Sequence, residues 1–170
     1  EDGISAYGVL MYVQFVFIAI DIGYSIGCAP IVGFHYGAQN HAELKNMLGK
    51  SVKLMCGAGV VMAVLAQVLA APLARLFVGY DEVLYRLTCH AFRLFSFAFL
   101  FAGFNIFASS FFTALNDGAT SALISFGRTL VFQITAVLIL PVFLDVDGIW
   151  GAVILAEALA GVLSAVCFLR

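Results

Sequence analysis

Long apolar runs, broken by short polar connections, set the layout of this chain. Gly3–Tyr36 holds only Asp21 and His35 as potentially charged groups, and the stretches 54–74 and 94–116 hold none. Each meets the roughly 20 residues a helix needs to cross the hydrocarbon core of a bilayer. Two further runs, Thr129–Leu144 and Ile149–Leu169, follow the same pattern. The prediction is an all-α integral membrane protein, a bundle of about five transmembrane helices over about 3–36, 45–78, 83–115, 120–144 and 149–169.

The connections orient the bundle. The segment 37–53 carries Lys45, Lys50 and Lys53 and is expected on the cytoplasmic side, with Glu1 and Asp2 outside. Asp81 and Glu82, then Asp145–Gly148, supply acidic external turns, while Asp117-Gly118, Arg128 and Arg170 return to the cytoplasm. Arg86 and Arg93 oppose this sign rule and are expected to snorkel to the interface. A straight helix over 3–36 would measure roughly 50 Å against a core of roughly 30 Å, so a tilt, an overrun or a bend at Pro30 is expected. Gly23 with Gly27, Gly33 with Gly37, and the pair Gly57 and Gly59 are candidate points of close helix approach.

Polar residues inside the runs carry the candidate chemistry. An ionised Asp at a helix centre costs roughly 2.5–3.5 kcal/mol to insert, so Asp21 should face a cavity or protein interior. On a helix Gln14, Asp21, Ser25 and Cys28, spaced seven, four and three apart, share one face. Asn105, Ser109, Thr113 and Asn116 make a second stripe. Glu157 lies near mid-membrane in the last run, with Ala160, Gly161 and Ser164 on its face. Two readings stay open for each acid: an exchangeable group in a wetted cavity, or a hydrogen-bonded strut between helices. Gln67 reads as interhelical glue, and Arg128 as a helix-end cap or a lipid head-group contact.

Composition agrees with the pattern: 64% hydrophobic, 11% charged and mean hydropathy +1.08, far from a soluble domain. The net charge of −2 without a basic run argues against nucleic acid as a partner. Cys28, Cys56, Cys89 and Cys167 show no CxxC and read as small apolar packers; no metal site, cofactor or disulfide is indicated. No HExxH, GxSxG or phosphate-cradling glycine loop occurs, so an enzyme is not expected. The opening Glu1-Asp2, with no basic segment before the first run, is not a signal peptide, and the chain is expected to be a piece of a longer protein. No internal repeat is visible.

The segments APIVGFHYGA at 29–38, RLFSFAFLFAGFNIFASSFFTALNDG at 93–118, GRTLVFQITAVLILPVF at 127–143 and DGIWGAVILAE at 147–157 together resemble the second half of a multidrug and toxic compound extrusion (MATE) transporter. The resemblance covers nearly the whole chain in the family's order. It implies most of the C-terminal lobe of a two-lobe transporter in the cell membrane. Such a protein exports cationic or amphipathic drugs in exchange for protons or sodium, and its N-terminal lobe lies elsewhere in the same chain. Some relatives carry a cation-linked acid in the helix matching 83–115, where this sequence offers Asn105 and Ser109. On this reading the cavity residues are Asp21, Gln14, Ser25, Asn105, Ser109, Thr113 and Glu157; of Phe97, Phe101, Phe104, Phe111 and Phe112, most are expected to face lipid or neighbouring helices and about a third to line the cavity. A lipid-linked oligosaccharide flippase, its pyrophosphate met by Arg93 and Arg128, and a non-transporting membrane scaffold are the alternatives.

Overall fold

A computed structural model describes residues 2–169, so the expected placements of Glu1 and Arg170 lie outside the described residues. The chain forms α1 (Asp2–Gly37), α2 (His41–Val78), α3 (Glu82–Phe95), a 3-10 turn (Ser96–Ala98), α4 (Phe99–Ala114), α5 (Gly118–Phe126), a π-helical segment (Gly127–Phe132) and α6 (Gln133–Leu169). By length and composition four helical stretches could cross a membrane. The last of them is 52 residues long and is not one rod. Asp145 leaves helical geometry with φ 48° and ψ −130°, and the chain folds back on itself there. A Cβ on Gly148 would sit 2.5 Å from the Leu140 carbonyl oxygen, so the hairpin closes only because that position is glycine. Five membrane passages result, as the hydrophobic pattern implies, and the protein is a multi-pass membrane protein.

The connections are tighter than the sequence suggests. Asn40 accepts a hydrogen bond from the Glu43 amide (3.2 Å), and α2 starts at His41. The expected polar loop over 37–53 therefore shrinks to residues 38–40, and its lysines ride on the first turns of α2. Likewise Asp117 caps α5 through the Thr120 amide (3.1 Å) and hydroxyl (2.6 Å), so helix resumes at Gly118. Gln39 and Asn116 take positive φ (55° and 61°) to turn the chain at this end, called inner below after its lysines.

α4 runs through the middle, packed against α1, α2, α5 and α6. In the outer half Phe92, Phe95, Phe99 and the fully buried Trp150 pack with the alanine face of α2. In the inner half Val32, Met55, Phe107 and Phe111 form a second cluster. Gly59 is a point of contact, since a Cβ there would lie 2.8 Å from the Phe99 carbonyl oxygen. Gly23, Gly27, Gly37 and Gly57 instead face open space, so the expectation that they mediate packing is corrected; Gly33 makes only an ordinary approach to Ala114. α1 remains one helix through Pro30. Gln67 donates to Ser96 Oγ (2.7 Å) and the Arg93 carbonyl (2.9 Å), tying α2 to the 3-10 turn as interhelical glue. All four cysteines are free, and Cys56 is exposed rather than packed inside.

Candidate functional site

Two acids reach the interior of the bundle, and they are held differently. Asp21, 2% exposed, lies on the buried face of α1 against α4. Its carboxyl group occupies the space a side chain at position 103 would fill: a Cβ on Gly103 would meet Oδ1 at 2.9 Å and Cγ at 3.2 Å. Oδ1 is buried and accepts no hydrogen bond. Ser25, one turn on, donates to the Asp21 backbone carbonyl (2.8 Å) and so leaves the carboxylate alone. Ser110 of α4 donates to the Ser25 carbonyl (3.3 Å), locking α1 to α4 beside the acid.

Glu157, 6% exposed, is saturated. Arg128 donates to its Oε1 through Nε (2.8 Å) and Nη2 (2.7 Å). Asn105 Nδ2 donates to Oε2 (2.8 Å) and to the Glu157 backbone carbonyl (2.9 Å), while Ser164 donates to Asn105 Oδ1 (3.3 Å). Three passages meet in this network. Arg128 sits in the π-helical segment, where the Gln133 amide bonds the Arg128 carbonyl five residues back. The wider turn sets that side chain's direction, and such turns often occur at functional sites.

The second stripe is also assembled. Ser109 Oγ lies 2.7 Å from Ser125 Oγ and 2.9 Å from Ser121 Oγ, and Ser121 Oγ lies 2.7 Å from Thr113 Oγ1. A cleft of about 220 Å³ opens beside it, lined by Ile18, Ile22, Asn105, Ile106, Ser109, Ile124, Ser125, Arg128 and Thr129. A larger apolar groove of about 580 Å³ lies in the outer half, with Tyr7, Gln133, Ile134, Val137 and Val153 on its walls, and Thr129 is a lining residue of both spaces.

Of the residues singled out from sequence, Asn105 and Glu157 bond directly, Ser109 and Thr113 join the hydroxyl cluster, and Asp21 and Ser25 lie on the same buried face of α1. Gln14 is half-buried and joins neither group. The expected phenylalanine walls are not found: Phe111 and Phe112 stack with Phe168, Phe104 faces Phe168, Phe101 packs by Gly161 and Phe97 is exposed, and none lines either cleft. Arg128 is neither a cap nor a head-group contact but the counter-ion of Glu157. Ser121 and Ser125 escaped the sequence reading because their stripe was not matched to the one at Ser109 and Thr113 on another helix.

Residues 1–139 match the family described as MatE. The chain belongs to the MatE family. Solved structures agree in fold. An outward-facing multidrug resistance MATE transporter of the MOP superfamily superposes with TM-score 0.91 at 19% identity, over 98% of this chain and 38% of that one. A MATE protein in complex with MaL6 gives 0.90 at 20% identity, over 98% and 38%. An inward-facing MATE transporter of the same superfamily gives 0.86 at 20% identity, over 98% and 40%. This MatE chain therefore spans about two fifths of the length of those transporters. No curated protein matches it.

Proposed function

We propose that this chain is most of the C-terminal lobe of a drug antiporter. In this reading the transporter exports cationic or amphipathic compounds in exchange for protons or sodium, and Asp21 is the exchanging group of this lobe. The observation that carries the reading is the unequal treatment of the two buried acids. Glu157 has Arg128 as its counter-ion, whereas Asp21 is buried against Gly103 with an oxygen that nothing satisfies. A buried carboxylate without a partner is costly, and taking up a proton or a small cation removes that cost. An apolar groove and a polar cleft with Thr129 in both linings suit a compound with a greasy body and a charged end. The likeness of this lobe to both an outward-facing and an inward-facing structure supports a body that rocks without refolding.

The flippase reading needs a free cationic surface for pyrophosphate. Arg128 is already matched by Glu157, and Arg93 is exposed on α3 in the outer half. A scaffold would gain nothing from an unsatisfied carboxylate.

The test uses the full-length protein in proteoliposomes loaded with a cationic dye, with an imposed proton or sodium gradient. Gradient-driven dye movement in the wild type and its loss in Asp21→Asn is the expected result. Gradient-driven dye movement that persists in Asp21→Asn at equal incorporation would remove Asp21 from the mechanism.

A further inference from the structure

We propose that the crevice between α1 and α2 at the inner end is a binding site for the zwitterionic head group of a phosphatidylethanolamine lipid. The crevice holds about 340 Å³ and lies apart from both clefts described above. Its walls are graded along the helices. Tyr24 and Ser51, joined by a 2.9 Å hydrogen bond, close the deep end, and Ile31 and Met47 give apolar flanks. His35, Glu43 and Asn46 surround the mouth, and Lys50 lines the crevice beside Ser51.

The order of charges matches that of the lipid. His35 is fourteen residues beyond Asp21 on α1, roughly 21 Å down the axis, which is head-group depth if Asp21 is central. α2 runs back antiparallel, so Glu43 lies at the level of His35 and Lys50 about two turns deeper. Helical side chains tilt toward the N-terminus, here the inner end, and a lysine snorkels the same way, which brings the Lys50 ammonium up toward the interface. A carboxylate outermost and an ammonium beneath it is the reverse image of phosphoethanolamine, whose ammonium is outermost and whose phosphate lies below. Asn46 Nδ2 donates to Glu43 Oε2 (3.2 Å) and holds that carboxylate over the mouth. The exposed neighbours, Ile31, Phe34 and Leu54, are apolar, as a wall against acyl chains requires.

The chemistry selects within lipids. A primary ammonium can donate hydrogen bonds to Glu43, whereas the trimethylated ammonium of phosphatidylcholine cannot, and the glycerol of phosphatidylglycerol brings no positive charge to it. Glu43 and Lys50 are exposed and lie outside the cleft and network assigned to transport, so the site is tested by binding alone.

The experiment titrates the purified full-length protein with phosphatidylethanolamine, phosphatidylcholine and phosphatidylglycerol and counts bound lipids by native mass spectrometry. Phosphatidylethanolamine should bind about tenfold tighter than either competitor. Glu43→Gln should abolish the preference over phosphatidylcholine, and Lys50→Gln should weaken phosphatidylethanolamine by a similar factor, with thermal midpoints unchanged. Equal binding of the three lipids by the wild type, or a preference untouched by both variants, overturns the proposal. Displacement of the lipid by millimolar soluble glycerophosphoethanolamine would overturn the lipid as the source and reassign the crevice to a soluble zwitterion.

Discussion

Asp21 and Glu157 are both buried carboxyl groups, yet the protein has built a counter-ion and an Asn105 hydrogen bond around one and only a glycine surface against the other. Burial does not tell the two acids apart; the count of satisfied oxygens does. Glu157 ties three passages together, and each of its carboxylate oxygens accepts a hydrogen bond. Asp21 is enclosed by a locked helix pair, its own oxygen unsatisfied.

The largest expected effect breaks the saturated side. Glu157→Ala leaves the half-buried Arg128 without its counter-ion and should destabilise the full-length protein by about 3 kcal/mol, the low end for a buried pair. Thermal unfolding in detergent measures this, and replacing Arg128 with Met in the same chain should restore much of the loss. If the single and double variants unfold alike, the pair is not what holds Glu157.

A smaller effect is expected from backbone contacts. Gly59→Ala should cost about 1–3 kcal/mol because its Cβ meets the α4 backbone. Gly23→Ala, facing open space, should stay within about 0.5 kcal/mol. Equal costs would contradict the packing described for α2 and α4.

The comparison is sharpened by Gly103→Ala, which places a methyl group where the Asp21 carboxyl now lies. Coupled dye transport should fall several-fold while the thermal midpoint moves by only a few degrees, because a side chain at its own helix surface can swing aside. Unchanged transport would mean that the position of Asp21 against α4 is not used.

Much of this was legible beforehand. The five passages follow from apolar runs that no soluble core would tolerate, and the stripe at Asn105, Ser109 and Thr113 follows from helical periodicity alone. The Arg128–Glu157 pair was not read because it is long-range and its arginine seemed to lie at a helix end. A signal was present: a hairpin turning at Asp145 brings residues near 128 and 157 to neighbouring levels, and an arginine and a glutamate in apolar runs each need a partner. The hydroxyls of Ser121 and Ser125 lie inside the expected helix over 120–144, but their partners on α4 are reached only by tertiary packing, which periodicity along one helix does not report. The aromatic walls failed for a different reason. Abundance on one helix does not tell which face meets a cavity, and these rings went to helix packing.

The central claim is that Asp21 exchanges its proton or ion while Glu157 does not. Infrared difference spectra of the full-length protein, recorded on stepping pH and on adding sodium, read carboxyl groups directly. The account predicts a carboxyl band that changes in the wild type and in Glu157→Gln and is absent from Asp21→Asn; a band that survives in Asp21→Asn and disappears in Glu157→Gln would contradict it.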